Sequence, residues 1–201
     1  MYGGWISPNY SLLIYDVIYL ITMKIYAVRH GQTNYNVKGL CNNDPSKDVH
    51  LTEEGTKQAE DVARKLKDRE FEAIFVTSLK RTRQTADIIN QLHIVEVVEE
   101  PRLSDRKTGF DSKPASEFFA AIDSSENKIT AKFNDGESFA EERKRVFHFL
   151  DELVKQSYKS VLLVSHTETM TIIYGYFHEK SDDEMWNMDE FSNAEVVEFE
   201  A

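Results

Sequence analysis

Three short apolar runs in this chain each end in residues that can do chemistry. Ile25-Tyr26-Ala27-Val28 runs into Arg29-His30-Gly31, Ala73-Ile74-Phe75-Val76 into Thr77-Ser78-Leu79-Lys80-Arg81, and Val161-Leu162-Leu163-Val164 into Ser165-His166-Thr167. Apolar runs without polar alternation read as strands buried on both faces. In an open α/β sheet, residues just past the carboxyl ends of such strands line the ligand crevice. Two imidazoles and two guanidiniums are therefore expected to converge at one sheet edge. Arg29 and Arg81 are planar, permanently charged forks suited to phosphate oxygens. Arg81 would also lie in the first turn of a helix, where free N–H groups favour an anion. His166 can add a hydrogen bond. His30, neutral on one nitrogen, can attack phosphorus in line and carry the group as a phosphohistidine, while the cations stabilise the spreading charge. The arginines supply the countercharge, so the chemistry calls for no metal and no cofactor. An alkoxide leaving group also needs an acid. Asp105, in Pro101-Arg102-Leu103-Ser104-Asp105, lies just beyond another strand-like run, 94–98, and is the candidate.

The intervening segments read as the elements that would position these ends. Thr52 can N-cap a helix, with Glu53 and Glu54 near its positive end. Ala59, Val62, Ala63 and Leu66 then follow at helical spacing. Ser78 is expected to cap the next helix, whose inward face reads Ala86, Ile89 and Leu92. A short helical patch surrounds Phe118 and Phe119, and residues 123–136 are polar loop. A long helix is predicted over about 138–157, with Val146, Phe149, Leu150 and Leu153 on one face. Another carries Met170, Ile173, Tyr174 and Phe177. The acidic segment 179–190 reads as loop or short helix, and Ala194 to Phe199 alternates like an edge strand. Strand–helix alternation with unbroken apolar strands predicts an α/β fold of three layers, a doubly wound, mostly parallel sheet with helices on both faces.

Composition sets bounds on partners. The chain has 201 residues, 41% hydrophobic and 29% charged, as expected of one globular domain. Its formal net charge of −11 argues against nucleic acid and anionic membranes as partners. The single Cys41 excludes an internal disulfide and fits a cytoplasmic location. His50, His93, His148 and His178 show no ligand spacing and read as surface or packing residues. Residues 1–22 are expected to be an extension, with the catalytic domain at 23–201. The apolar stretch from Leu12 to Ile21 is shorter than the ~20 residues of a membrane span, and no basic residue precedes it.

The chain resembles the histidine phosphatase superfamily, the phosphoglycerate mutase-like family, over residues 23–199. The matching pieces are Arg29-His30-Gly31-Gln32-Thr33 through Asn36, Leu51-Thr52-Glu53-Glu54-Gly55 with Gln58-Ala59, and Leu79-Lys80-Arg81 with Gln84-Thr85-Ala86. Leu103-Ser104-Asp105 with Gly109, Gly136-Glu137-Ser138, Val164-Ser165-His166 and Asn193 complete the series. The resemblance implies His30 as the phosphorylated nucleophile. Arg29, Arg81 and His166 would form the phosphate pocket, Asn36 would add a hydrogen bond, and Asp105 would take the general-acid position. Asp105 stands where the family commonly has Glu, shorter by about 1.5 Å. Thr167 stands where Gly commonly follows the second His, placing a side chain beside the phosphate. Thr77-Ser78 replaces Ser-Pro. Tyr35-Asn36 in place of Trp-Asn, and the short segment between Asp105 and Gly136, favour the phosphatase branch acting on a small phosphorylated metabolite. A phosphoglycerate mutase and a non-catalytic phospholigand binder are the alternatives.

Overall fold

The computed structural model describes residues 22–201. The expectation for 1–22 therefore falls, apart from Thr22, outside the described residues. Strand β1 (Lys24–Arg29) is followed by the short helix α1 (Asn34–Lys38) and by α2 (Glu53–Leu66). Then come β2 (Ala73–Val76), α3 (Lys80–Asn90), β3 (Glu96–Glu99), a 3-10 turn (Pro101–Leu103) and α4 (Ala115–Asp123). Helix α5 (Phe139–Leu153), β4 (Ser160–Ser165), α6 (Thr167–Phe177), α7 (Asp182–Trp186) and β5 (Val196–Glu200) complete the order. The five strands form one sheet in the order β3-β2-β4-β1-β5. The first four are parallel, and β5 runs antiparallel to β1 at the edge.

Both faces of the central strands are buried, which is why they read as unbroken apolar runs. Ile25, Ala27, Phe75, Val161 and Leu163 pack against α5 and α6. Tyr26, Val28, Ile74, Val76, Leu162 and Val164 pack against α2 and α3 on the other face. The three-layer, mostly parallel arrangement is thus present. Three parallel strands, β1, β4 and β2, are adjacent, with Arg29 opposite Ser165 in the register, so their carboxyl ends sit side by side.

The structure corrects several local expectations. Ser78 does not cap α3. Leu79 is the N-cap residue and makes no side-chain cap, while the buried Thr77 hydroxyl accepts from Leu79 N at 3.2 Å. Helix α3 ends at Asn90, whose amide grips Val95 through both its carbonyl and its N–H at 2.9 Å. That clamp turns the chain, so Leu92 faces solvent rather than the core and Ile94 takes a left-handed φ of 57°. The strand consequently begins at Glu96 rather than at 94. Helix α5 stops at Leu153, short of 157. Ala194 is also left-handed, at φ 59°, and precedes β5 rather than opening it.

One close approach holds the site loop. The first turn of α2 crosses the segment after His30, and Thr52 N donates to Gln32 O at 2.9 Å. A Cβ on Gly31 would collide with the Gly55 carbonyl, and one on Gly55 with the Gln32 carbonyl. Both neighbours are backbone and cannot rotate away. Gly55→Ala is therefore expected to destabilise the fold by about 1–3 kcal/mol, measured by urea denaturation, and to lower activity by pushing the His30 loop outward.

Candidate active site

The carboxyl ends of β1, β2 and β4, together with the loop after β3, enclose a cavity of about 220 Å³ lined by Arg29, His30, Asn36, Arg81, Asp105 and Thr167 among others. All seven residues singled out in the sequence are at this cavity or in its wall. His30, at 3% exposed, places Nδ1 2.8 Å from its neighbour's carbonyl, Gly31 O. A carbonyl can only accept, so Nδ1 carries the proton and Nε2 is a bare lone pair. Arg81 Nε donates to that Nε2 at 3.1 Å and to His166 Nδ1 at 3.2 Å. Burial, then the charge of Arg81, hold both imidazoles well below their ordinary pKa. Both are neutral at pH 7.

Arg81 is 4% exposed, so it is not a surface ion pair. Its Nη1 donates to Asn42 Oδ1 at 2.9 Å. Its Nη2 donates to Asn42 O at 3.1 Å and to Asp105 Oδ2 at 3.0 Å. These partners hold the guanidinium in plane. Arg29 Nη1 donates to Phe191 O, while its buried Nε has no acceptor among the described residues. The Thr167 hydroxyl donates to the same Phe191 carbonyl at 3.2 Å. That hydroxyl is thus engaged, and what Thr167 offers an anion is its N–H in the first turn of α6, which has no intrahelical partner. Asn36 also has a local task. Its Oδ1 accepts from Thr33 N at 3.0 Å and closes a capping box on α1, leaving its amide N–H₂ beside the cavity.

Asp105 lies within 3.8 Å of His166 Nδ1 as well as on Arg81. Its loop is held from behind. Arg145 donates to Arg102 O at 2.7 Å and Asp105 O at 3.3 Å, and the Glu137 carboxylate bridges Arg145 and Lys107 N. The Gly136-Glu137-Ser138 motif thus holds the Asp105 loop, a role not visible in the sequence. Asn42 and Thr77 were also missed. The Thr77 hydroxyl lies 3.3 Å from His166 Nε2, and nothing in an Asn-rich loop distinguishes Asn42 in advance. Phe118 and Phe119 from α4 supply an apolar wall. Among the described residues, no group of three or more His, Cys, Asp or Glu side chains could hold a metal ion, and no helix is long and apolar enough to cross a membrane.

A parallel sheet delivering two neutral histidines and two arginines to one pocket is the arrangement of a histidine phosphatase. The chain belongs to the histidine phosphatase superfamily (branch 1), whose family model matches residues 25–201. It is an enzyme, a phosphatase of that type. It is 26% identical over 183 residues to a putative phosphoserine phosphatase 2 of Hydrogenobacter thermophilus, covering 87% of this chain and 88% of the relative. It is 31% identical over 164 residues to the metal-independent phosphoserine phosphatase of Arabidopsis thaliana, covering 75% and 67%. It is also 31% identical over 161 residues to a probable phosphoglycerate mutase of Erwinia tasmaniensis, covering 75% and 73%. Among solved structures, a mycobacterial glucosyl-3-phosphoglycerate phosphatase superposes with a TM-score of 0.75 at 22% identity, covering 88% of this chain and 90% of the other.

Proposed function

We propose that this chain hydrolyses small phosphate monoesters in the cytoplasm through a phosphohistidine on His30. The observation that carries the reading is the tautomer: the Gly31 carbonyl holds the proton on Nδ1, so Nε2 keeps its lone pair, which accepts from Arg81 Nε until the phosphate takes that donor. The phosphate enters between Arg29, Arg81, His166 and Asn36. Arg81 turns from Asn42 and Asp105 onto the equatorial oxygens. His166 becomes a donor when its proton moves from Nε2 to Nδ1, a shift that the Thr77 hydroxyl can follow by changing from acceptor to donor. Nε2 attacks phosphorus, the P–O bond to the alcohol breaks, and the leaving oxygen takes the proton of Asp105. A water then attacks the phosphorus of phospho-His30. It gives its proton to Asp105, and the P–N bond breaks.

The leaving group tests the acid. Asp105→Asn is expected to slow a simple alkyl phosphate by about 10²–10⁴-fold and p-nitrophenyl phosphate far less, because that phenolate leaves without a proton. Equal losses on both esters in steady-state assays would remove Asp105 from the role. Dependence on a bisphosphate primer would favour a mutase, and binding of esters without turnover a non-catalytic binder.

A further inference from the structure

A fully buried carboxyl, Glu142, and a partly exposed one beside it, Glu168, are used by none of these steps. Glu142, on α5, is 0% exposed. Its Oε1 accepts from Thr169 Oγ1 at 2.8 Å, and its Oε2 has no donor. Glu168, in the first turn of α6, accepts from Arg106 Nη2 at 2.7 Å through Oε2, and its Oε1 also has no donor. Glu168 is the carboxyl that faces Glu142, and Glu142 Oε2 and Glu168 Oε1 are the oxygens left without a donor among the described residues. Two carboxylates cannot hydrogen-bond without a proton. A single proton between Glu142 Oε2 and Glu168 Oε1 satisfies both orphaned oxygens.

The other end of this chain of contacts is the acid loop. Arg106 follows Asp105 directly, and its side chain is 2% exposed. The guanidinium lies 4.8 Å from the Phe118 ring and 5.5 Å from Trp186. Among the described residues its Nε and Nη1 have no acceptor, and Glu168 is its one ionic anchor. Where Glu168 goes, Arg106 must follow. The charged groups facing Glu142 are Glu168 on α6, Asp105 on the loop and Arg145 on its own helix, with Arg106 one carboxylate away. Arg145 is 3.7 Å from Glu142 Oε1 but is committed to Glu137.

We propose that Glu142 in its acid form is a positioning residue for the general-acid loop, its shared proton being the strut that keeps Glu168 on Arg106 and Asp105 in the site. The proposal rests on the reading of Asp105 given above. Burial, then the Glu168 charge, raise the Glu142 pKa well above the usual carboxyl range, which favours the acid form the strut needs. Loss of the proton at alkaline pH sets two neighbouring carboxylates against each other and unseats Arg106. The same shift makes the proton's contribution to stability complete below the ordinary carboxyl pKa and lost as pH rises through the folded value.

The test compares pH profiles on ethyl phosphate and p-nitrophenyl phosphate. Glu142→Gln keeps a donor to Glu168 at every pH. Its neutral-pH rate is expected to stay within about twofold of the parent's on both esters. Its alkaline midpoint on ethyl phosphate should rise by about one pH unit or more. Glu142→Leu is expected to lose about tenfold or more on ethyl phosphate, with p-nitrophenyl phosphate hardly changed. A Gln profile superimposed on the parent's, or equal losses on both esters for Leu, would overturn the proposal. Infrared spectra of the parent read the proton without turnover. A protonated-carboxyl band at pH 7 that Glu142→Gln lacks supports the strut, and its absence from the parent overturns it. A parent that hydrolyses neither ester overturns the phosphatase reading and with it the positioning role, while the band still reports whether the proton is shared.

Discussion

Arg81→Ala is expected to lower kcat/KM for any phosphate monoester by about 10³-fold or more, the scale of an arginine that stabilises phosphoryl transfer. The size of the effect follows from how many groups one guanidinium serves. It donates to both imidazoles, to Asn42 and to Asp105 from a fully enclosed position. Its loss removes the countercharge for the equatorial oxygens. It also removes the largest charge effect that lowers the pKa of His30 and of His166. Without that positive neighbour both pKa values rise, so a larger fraction of His30 is protonated and cannot attack. The residual activity of the variant should therefore have its acid limb shifted to higher pH relative to the parent. Steady-state rates across pH, with imidazole titrations followed by NMR, measure both consequences. Arg81→Lys should recover only part of the loss, because an ammonium keeps the charge but not the fork that meets two histidines and an oxygen anion in one plane. Unchanged imidazole titrations in Arg81→Ala would contradict the electrostatic account.

His30→Ala is expected to abolish turnover of alkyl and aryl phosphates alike, a loss on the order of 10⁴–10⁶-fold in kcat as for other deleted nucleophiles. Aryl esters should not be spared, in contrast to Asp105→Asn. A good leaving group relieves the need for an acid but not for an attacking atom. Binding should survive, since Arg29, Arg81 and His166 do not depend on His30 for their anchors at Phe191, Asn42 and Thr77. Calorimetric titration with inorganic phosphate is expected to show binding by the inactive variant. A variant that neither binds nor turns over would point to collapse of the pocket rather than loss of the nucleophile.

The pocket was legible because its main residues stand at the ends of strands buried on both faces. Such strands have one unmistakable pattern, and their carboxyl ends are one physical place. The strand pattern alone therefore brings Arg29, His30, Arg81 and His166 together, and Asp105 follows from its position after β3. The residues that orient them were not legible. Asn42 holds Arg81 through a side chain and a carbonyl that any loop residue could offer. The exchange of Ser78 for Thr77 at the head of α3 depends on which hydroxyl turns inward, a tertiary outcome. Ile94 left the strand because Asn90, five positions before Val95, captured the backbone there. Glu142 did leave a sign. It occupies the stripe shared by Phe139, Val146, Phe149 and Leu153, and a carboxyl in an apolar stripe needs a partner. The partner, Glu168, sits one residue beyond the flagged Thr167.

In the proposed mechanism a covalent phosphoryl group passes through His30. Rapid acid-free quenching of the enzyme during turnover of p-nitrophenyl phosphate, followed by phosphopeptide mapping, tests it most directly. The expected result is one acid-labile, base-stable phosphoryl group on His30, formed at least as fast as turnover and absent from His30→Ala. Turnover with no phosphoenzyme, or with phosphate on another residue, would contradict the account.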